Sequence, residues 1–535
     1  MPDSLTSDQY QSSSSLARLW KQNWDIAAFV VLLTLIGLLL RLINLTSIPT
    51  GLHGDEAIVG MEGQRILREI LIDPYSPSAL GQPTAPFYLA ALTVWIWDNT
   101  VFAVRISAVI FGTLAIPALY LVVRRSLGVS NALLASGFLM VMGWHIHYSR
   151  IAFPLPAWPL WTILTAGVLV QAVRSGYWYW WAAAGAMSGA GIYVYNAHTL
   201  GLVVLGAFAA LMLGRQWLTD NDLRRLVGNT AAFAGAVLAS LLPMIWYIAN
   251  NWELYWNSID RHSVRDTGEW QELGGPVEQL GYLIEQYGRF WVELSWSPSI
   301  DYVDATGITS VVPTGLLLLS LAGMGVALWR RREPIVWLGA MIVILMPLAT
   351  VLTEQGEMRR TLIIAPFLCM FAAIGIVELL AIVRQRFSSI LMTATVAVLG
   401  LVIVSTVTVD LRNYFMVHGE SETQHWVFAE EFYDASMYLQ QLPDDHYVYF
   451  MAHRWSIDYE PRRFLAPDIN GEDRSDEFGS FGLDVDEALG QPVFVLVGDY
   501  RPVLDALQET YPGGEVITGS IDGRPTFIAY HLPEQ

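Results

Sequence analysis

The sequence predicts a mainly α, polytopic membrane protein of about 11 transmembrane helices plus an outer-leaflet interfacial helix, with a small extracytoplasmic α/β domain at the C-terminal end. Three observations predict this class. The composition is 54% hydrophobic and only 15% charged, whereas soluble domains carry about 25% charged residues. Eleven apolar runs come close to or exceed the roughly 20 residues that a bilayer crossing needs. A polar stretch follows the last run; from Asp410 on it holds 24 Asp and Glu against seven Arg and no Lys.

The elements follow in order. Residues 1–24, rich in Ser and Gln, read as a disordered cytoplasmic N-terminus. Ile26–Ile43 is too long for a signal-peptide core and lacks a small-residue cleavage site, so it reads as an uncleaved first helix. The further spans are 101–123, 131–147, 154–173, 178–195, 197–214, 228–249, 311–329, 335–352, 361–383 and 389–409. Basic residues mark alternate connections: Arg18 and Lys21, Arg124 and Arg125, Arg174, then Arg215, Arg224 and Arg225, then Arg330, Arg331 and Arg332, then Arg384 and Arg386. Under the positive-inside rule these lie in the cytoplasm, and 11 crossings put the C-terminal tail outside a bacterial-type plasma membrane. Thr84–Trp97 is apolar but too short to cross, so it is expected to lie on the outer leaflet. The membrane domain is then 25–410, with long outer loops 44–100 and 250–310, and the tail domain is 411–535. In the tail, a helix near 424–441, strands at 446–451 and 492–497, a helix at 501–510 and short strands at 514–519 and 525–531 are expected.

Composition also excludes classes. A single cysteine, Cys369, allows no intramolecular disulfide. A net charge of -19 argues against a nucleic-acid partner, which requires a basic face. The spans carry no Asp, Glu or Lys at their centres and no internal repeat is evident, which disfavours a transporter or flippase.

The candidate chemistry gathers at the outer ends. Ile48-Pro49-Thr50-Gly51-Leu52-His53-Gly54-Asp55-Glu56-Ala57 sets two adjacent carboxylates just outside the first span, ahead of a helical pattern from Ala57 to Ile70. Asp is a favoured helix cap; a carboxylate within reach of a hydroxyl is also a general base. Arg150, Arg359 and Arg360 sit at outer span ends against the positive-inside bias. Arginine pairs bidentately with phosphate, and snorkelling or pairing with Glu354 or Glu357 is the alternative. His145, His147 and His198 also lie at outer ends, beside Tyr193, Tyr195 and Asn196. A metal site from His145, His147 and Asp55 is one reading and ordinary hydrogen-bonded histidines the other, so the sequence requires no cofactor. The charged cluster Asp260, Arg261, His262, Arg265, Asp266 and Glu269 reads first as a solvated face.

A first span ending in Arg41-Leu42, a Pro, and then His53-Gly54-Asp55-Glu56-Ala57 resembles the opening of the glycosyltransferase-C (GT-C) superfamily. The likeness is nearest the branch of protein O-mannosyltransferases and lipid A aminoarabinose transferases. Gly81-Gln82-Pro83-Thr84-Ala85-Pro86-Phe87-Tyr88, Arg105 ahead of Gly112, His147-Tyr148-Ser149-Arg150 and Glu357-Met358-Arg359-Arg360 are similar to later motifs of that pattern, in the same order. The resemblance implies a GT-C membrane glycosyltransferase that moves a monosaccharide from a polyprenyl-phosphate donor to an acceptor hydroxyl of a protein, lipid or glycan. It implies Asp55 and Glu56 as the catalytic pair, with Asp55 the base, and Arg359, Arg360 and Arg150 at the donor phosphate. His53, Gln82, His147, Tyr195 and His198 are candidates for the substrate pocket, and direct attack would invert the anomeric centre. The alternatives are a ligase or polymerase moving a whole lipid-linked glycan, and a non-catalytic transporter.

Overall fold

The computed structural model describes residues 26–260, 263–296, 311–330, 333–353, 358–419, 421–475 and 483–533. The expected N-terminus 1–24, Arg261, His262, Arg331, Arg332, Glu354 and Glu357 lie outside the described residues.

The first helix is α1 (Ile26–Leu42). The first outer loop then forms α2 (Gly54–Glu69), a two-stranded ribbon of β1 (Tyr75–Ser76) and β2 (Gln82–Pro83), and α3 (Phe87–Trp97). The bundle continues through α4 (Val101–Leu127), α5 (Val129–Val141), α6 (Gly143–Tyr148), α7 (Ala157–Ser175), α8 (Trp178–Ala190), α9 (His198–Asp220) and α10 (Leu223–Asn250). The third outer loop contributes α11 (Trp252–Asp260), α12 (Gly268–Gln271) and α13 (Pro276–Ser295). The bundle then resumes with α14 (Thr314–Arg330), α15 (Pro334–Leu345), α16 (Leu348–Val351), α17 (Ala365–Arg386) and α18 (Ser389–Arg412). Each of the 11 predicted runs is helical over most of its length. Six of the described helical stretches are long and apolar enough to cross a membrane by themselves, and α1, α3, α5 and α14 are shorter apolar helices.

At α3, 11 residues rise only about 16 Å at 1.5 Å each. One side of this helix packs on α2, where a Cβ at Gly63 would meet the Ala90–Ala91 backbone at 3.1 Å, and Trp95 and Trp97 face outward. At this length the helix is too short to cross a bilayer, as the sequence predicts. Close helix crossings rest on glycine elsewhere too: a Cβ at Gly185 of α8 would stand 2.2 Å from the Phe233 carbonyl of α10. Such small residues let helix backbones approach where lipid supplies no hydrophobic drive.

The tail comprises α19 (Glu422–Val427), α20 (Glu430–Leu439), α21 (Glu460–Leu465) and α22 (Val503–Thr510). Their sheet, β3 (His446–Ala452), β4 (Asn470–Asp473), β5 (Gln491–Val497), β6 (Glu515–Ile521) and β7 (Arg524–His531), has the order β4-β3-β5-β7-β6. Strands β4, β3 and β5 run parallel, and β7 and β6 join antiparallel. Val448, Phe450, Val493 and Val495 pack with Phe432 and Leu439 of α20 on one face. Tyr449, Phe494, Leu496 and Tyr530 pack with Val503 and Leu507 of α22 on the other. The alternating inward and outward side chains of the strands produce these two cores.

The tail is seated on the start of α2. The Leu52 amide donates to the Phe428 carbonyl at 2.9 Å, and Gln64 Nε2 donates to the Phe464 carbonyl at 3.2 Å. Three glycines make room: a Cβ at Gly51 would stand 2.2 Å from the Phe428 oxygen, one at Gly60 2.4 Å from the Phe464 ring, and one at Gly54 3.1 Å from Tyr459.

Candidate active site

The Asp55 loop is built around two buried guanidinium groups. A helix end leaves carbonyls without intrahelical partners, and the chain after α1 leaves several. Arg150 Nη1 donates to the Leu40 and Arg41 carbonyls at 3.2 and 2.9 Å, and its Nη2 to those of Asn44 and Ile48 at 3.0 and 2.9 Å. Arg105 of α4 takes the next set: Nη1 donates to Leu45 and Pro49 at 3.0 and 2.8 Å, and Nη2 to Gly51 at 2.8 Å. Its remaining two N–H groups pair bidentately with Glu56, Nε to Oε1 and Nη2 to Oε2, both at 2.9 Å. All five donors of Arg105 are thus satisfied.

The two adjacent carboxylates occupy different environments. His53 caps α2: its Nδ1 accepts from the Asp55 amide at 3.0 Å, while the Glu56 carboxylate accepts from the His53 amide at 3.2 Å. This is a capping box whose cap, His53, stands two positions before the expected Asp55, with Glu56 as its reciprocal partner. Glu56 also accepts from the Ala152 amide at 2.8 Å and is fully buried. Burial alone would raise its pKa, but the Arg105 charge and the hydrogen bonds from Arg105, Ala152 and His53 outweigh it and hold the carboxyl below its usual value.

Asp55 stands at the second position of the helix, its side chain 26% exposed. Among the described residues its carboxylate accepts no hydrogen bond. His53 Nδ1 lies 4.0 Å from Asp55 Oδ2, but a ring nitrogen that accepts an amide proton carries none of its own, so the contact is not an ion pair. An oxygen-rich, uncommitted group at a helix N-terminus, where the dipole favours an anion, is the arrangement a proton acceptor needs.

Side chains from other parts of the chain pack around the His53 cap. The His53 ring packs edge-on against Phe153 at 5.7 Å and Phe428 at 5.9 Å. The Arg359 guanidinium lies over the far neighbour, Phe153, 5.7 Å from its centre. From the tail, Tyr459 packs against Gly54, its ring edge and phenol oxygen each 3.1 Å from where a Gly54 Cβ would stand; burial raises its pKa, and the Glu460 and Asp55 charges add to the rise. The loop before α13 packs on the end of α16: the Val264 amide donates to the Leu352 carbonyl at 3.2 Å, and a hollow of about 330 Å³, solvent included, runs among Tyr282, Glu293, Thr350 and Met358.

The structure joins His53, Asp55 and Glu56 in one helix cap, sets Arg359 over the Phe153 ring that the His53 ring also touches, and leaves Arg360 half-buried beside Arg359. It does not bring the others to Asp55. Arg150 is a backbone clamp, fully buried with four of its N–H groups on carbonyls, and not an open phosphate contact; an arginine at an outer span end looks the same in sequence whether it serves a ligand or leftover carbonyls. His198 is buried, accepting from Trp158 Nε1 at 3.0 Å and bonded through Nε2 to the Ser188 carbonyl at 2.8 Å. Tyr195 packs on the same Trp158, and Gln82 sits in the β1–β2 ribbon. His147 is buried against Tyr414 and His418. Arg41 Nη2 donates a hydrogen bond to His145 Nδ1 at 2.9 Å, so the His145–His147–Asp55 metal set is not assembled. Among the described residues no group of three His, Cys, Asp or Glu side chains is placed for a metal. Phe153, Phe428 and Tyr459 had no sequence signal, since each gains its place only from contacts across long stretches of chain.

With this geometry in hand, comparisons place the fold. Residues 81–247 match the family model described as dolichyl-phosphate-mannose-protein mannosyltransferase. That match begins after Asp55 and ends before Arg359. Similar solved structures include ArnT from Cupriavidus metallidurans bound to undecaprenyl phosphate, 13% identical with a TM-score of 0.52, over 94% of this chain and 98% of that one. The oligosaccharyltransferase of Archaeoglobus fulgidus in the apo form is 14% identical with a TM-score of 0.54, over 95% of this chain and 75% of that one. No curated protein matches the sequence. The chain has the GT-C fold shared by these two structures, and the family model matches within its membrane part.

Proposed function

We propose, from a chain with the GT-C fold, that this protein is a membrane glycosyltransferase moving a monosaccharide from a polyprenyl-phosphate donor to an acceptor hydroxyl on the extracytoplasmic side. The observation that carries the reading is the division of labour between adjacent carboxylates: Glu56 is buried on Arg105, while Asp55 is open and lacks a hydrogen-bond partner among the described residues, with Arg359 one aromatic ring beyond its cap. The family match over 81–247 and a solved neighbour that binds undecaprenyl phosphate support the donor class.

In this mechanism the acceptor oxygen attacks the anomeric carbon as its proton passes to Asp55. The bond from that carbon to the phosphate oxygen breaks, and its electron pair leaves with the lipid phosphate. Arg359, with Arg360 from the same segment, stabilises the charge developing there. One direct displacement inverts the anomeric centre. Glu56 is a positioning residue that fixes Arg105, the cap and the Phe153 loop.

The test incubates membranes containing the protein with a panel of radiolabelled polyprenyl-phosphate sugars, beside Asp55→Asn at equal level. Label released to water or to an acceptor, and lost in Asp55→Asn, is the expected result. Equal turnover by both versions removes Asp55 as the base and this mechanism with it.

A further inference from the structure

The mechanism above leaves one buried carboxylate of the Asp55 helix without a role. Glu62 is 4% exposed and stands on the face of α2 that carries Ile58, Val59 and Ile66, where an apolar side chain would avoid the cost of burying a charge. Its Oε1 accepts from the Ser78 hydroxyl at 2.7 Å and from the Ser76 hydroxyl at 2.9 Å, and Arg65 Nη1 lies 3.6 Å from its Oε2. Ser76 Oγ in turn accepts from the Ala79 amide at 3.3 Å. Ser76 belongs to β1 and Ser78 to the turn that leads to β2, so Glu62 grips the ribbon. The far side of the ribbon is fastened to the bundle. Asn196 Nδ2 donates to the Gly81 carbonyl at 2.6 Å, and the Ala85 amide donates to the Tyr193 carbonyl at 3.2 Å. The Tyr193 hydroxyl donates to the Ser240 carbonyl of α10 at 2.7 Å. The Tyr75 ring of β1 packs on Tyr247 of α10 and Tyr255 of α11, with centres 5.9 and 4.9 Å apart.

We infer that Glu62 is a positioning residue for the transfer, a buried latch that holds the Asp55 helix, through the ribbon, to the joint of α10 and α11; this rests on the transferase reading. Glu62 follows Asp55 by seven positions, close to two turns, so both side chains leave one face of α2 about 10 Å apart along its axis. Glu56 already ties the first turn to Arg105 of α4. One anchor leaves a helix free to pivot about it. A second anchor, nearly two turns along and on a different face, removes that freedom. Directional hydrogen bonds fix a position more closely than apolar contact does, which gives a buried carboxylate a use despite its desolvation. The ribbon carries the restraint across to α10 and α11, so the proposed base is held against a distant part of the fold and not only against its own neighbours. A misplacement of about 1 Å, even from a change far from the chemistry, costs on the order of 10²-fold in rate.

The experiment compares the detergent-solubilised full chain with Glu62→Ala, with the double variant Ser76→Ala and Ser78→Ala, and with Glu62→Gln, whose amide oxygen still accepts from both hydroxyls. Spin labels on Arg68→Cys of α2 and Glu253→Cys of α11, both exposed, report the distance across the ribbon. Glu62→Ala and the double serine variant should broaden that distance distribution, and Glu62→Gln should keep it narrow. Turnover of polyprenyl-phosphate sugar, counted per molecule of polyprenyl phosphate bound, should fall about 10- to 100-fold in the first two and stay near the parent value in Glu62→Gln. Counting per bound lipid separates positioning from misfolding, which would remove binding sites and turnover together. A narrow distribution in Glu62→Ala, full turnover per site in that variant, or a Glu62→Gln as impaired as Glu62→Ala overturns the latch. A parent protein that turns over no donor counts against the transferase reading, while the distance measurement, which needs no turnover, still decides whether Glu62 holds the helix.

Discussion

At the residue scale, Asp55 and Glu56 are neighbours in sequence with opposite consequences on substitution. Asp55→Asn removes a proton acceptor without disturbing a buried contact. It should reduce donor turnover by about 10²- to 10⁴-fold, the usual contribution of a general base, with the melting temperature in detergent essentially unchanged. Glu56→Gln leaves the Arg105 charge buried without its counter-ion, a loss of about 3–5 kcal/mol for such pairs, and should lower the melting temperature clearly. The acid side follows from the same pair. Because the folded-state pKa of Glu56 is depressed, its contribution is fully present above the unfolded value of 4.5 and is lost as pH falls through the lower folded value. A melting-temperature profile across that acid window should fall more steeply in the parent protein than in Glu56→Gln. Arg359→Ala should weaken polyprenyl-phosphate binding by roughly 10- to 100-fold, the worth of a charge-assisted hydrogen bond, measured by titration of the lipid into purified protein. The Asp-Glu pair stood out through its resemblance to a family motif, since its spacing alone suits a helix cap equally well. Which of the two is free was not legible: that depends on Arg105, 49 positions away, and on the Ala152 amide.

At the scale of elements, apolar length carried the reading far, because lipid leaves a spanning segment little choice but helix. The exceptions have local causes. The run 131–147 divides at Met142 into α5 and α6, and the Gly143 amide freed there donates to Asp410 Oδ2 of the α18 end at 3.0 Å. In the tail, β4 was missed because Asn470-Gly471-Glu472-Asp473 has the composition of a turn; it forms an edge strand only because β3 offers it a partner. The joint between the first outer loop and the tail left only glycines as a trace. Gly51 has φ of +81° and would place a Cβ 2.2 Å from the Phe428 oxygen. Gly51→Ala therefore meets both a strained backbone and a clash, and should cost more than about 1 kcal/mol. Hydrogen exchange should rise at the Leu52 amide, whose bond to Phe428 crosses this joint, and donor turnover should fall with it. A tail that stayed protected and an enzyme that stayed active would mean the joint does not position Asp55.

At the scale of the whole molecule, the fold gathers two chemistries at opposite poles. The basic ends of several spans meet one another: Arg174 donates to the Arg125 carbonyl at 2.8 Å and pairs with Glu333 at 2.5 Å, while Arg225 reaches the Gly176 carbonyl. Arg330 pairs with Glu378 at 3.0 Å at the same ends of α14 and α17. Asp55, Arg359 and the acidic tail belong to the other ends of these helices. An orientation with the arginine pole in the cytoplasm satisfies the positive-inside rule and, with an odd number of crossings, separates the two termini across the bilayer. The only cysteine, Cys369, is buried, so introduced thiols report accessibility cleanly. Thr219→Cys, exposed at the arginine pole, and Asp444→Cys, exposed on the tail, test the orientation in intact cells. A membrane-impermeant maleimide should label Asp444→Cys at once and Thr219→Cys only after permeabilisation. The reverse pattern would place Asp55 and its open carboxylate in the cytoplasm, where a donor presented on the outer leaflet could not reach it, and the proposed reaction would have to be abandoned together with the topology.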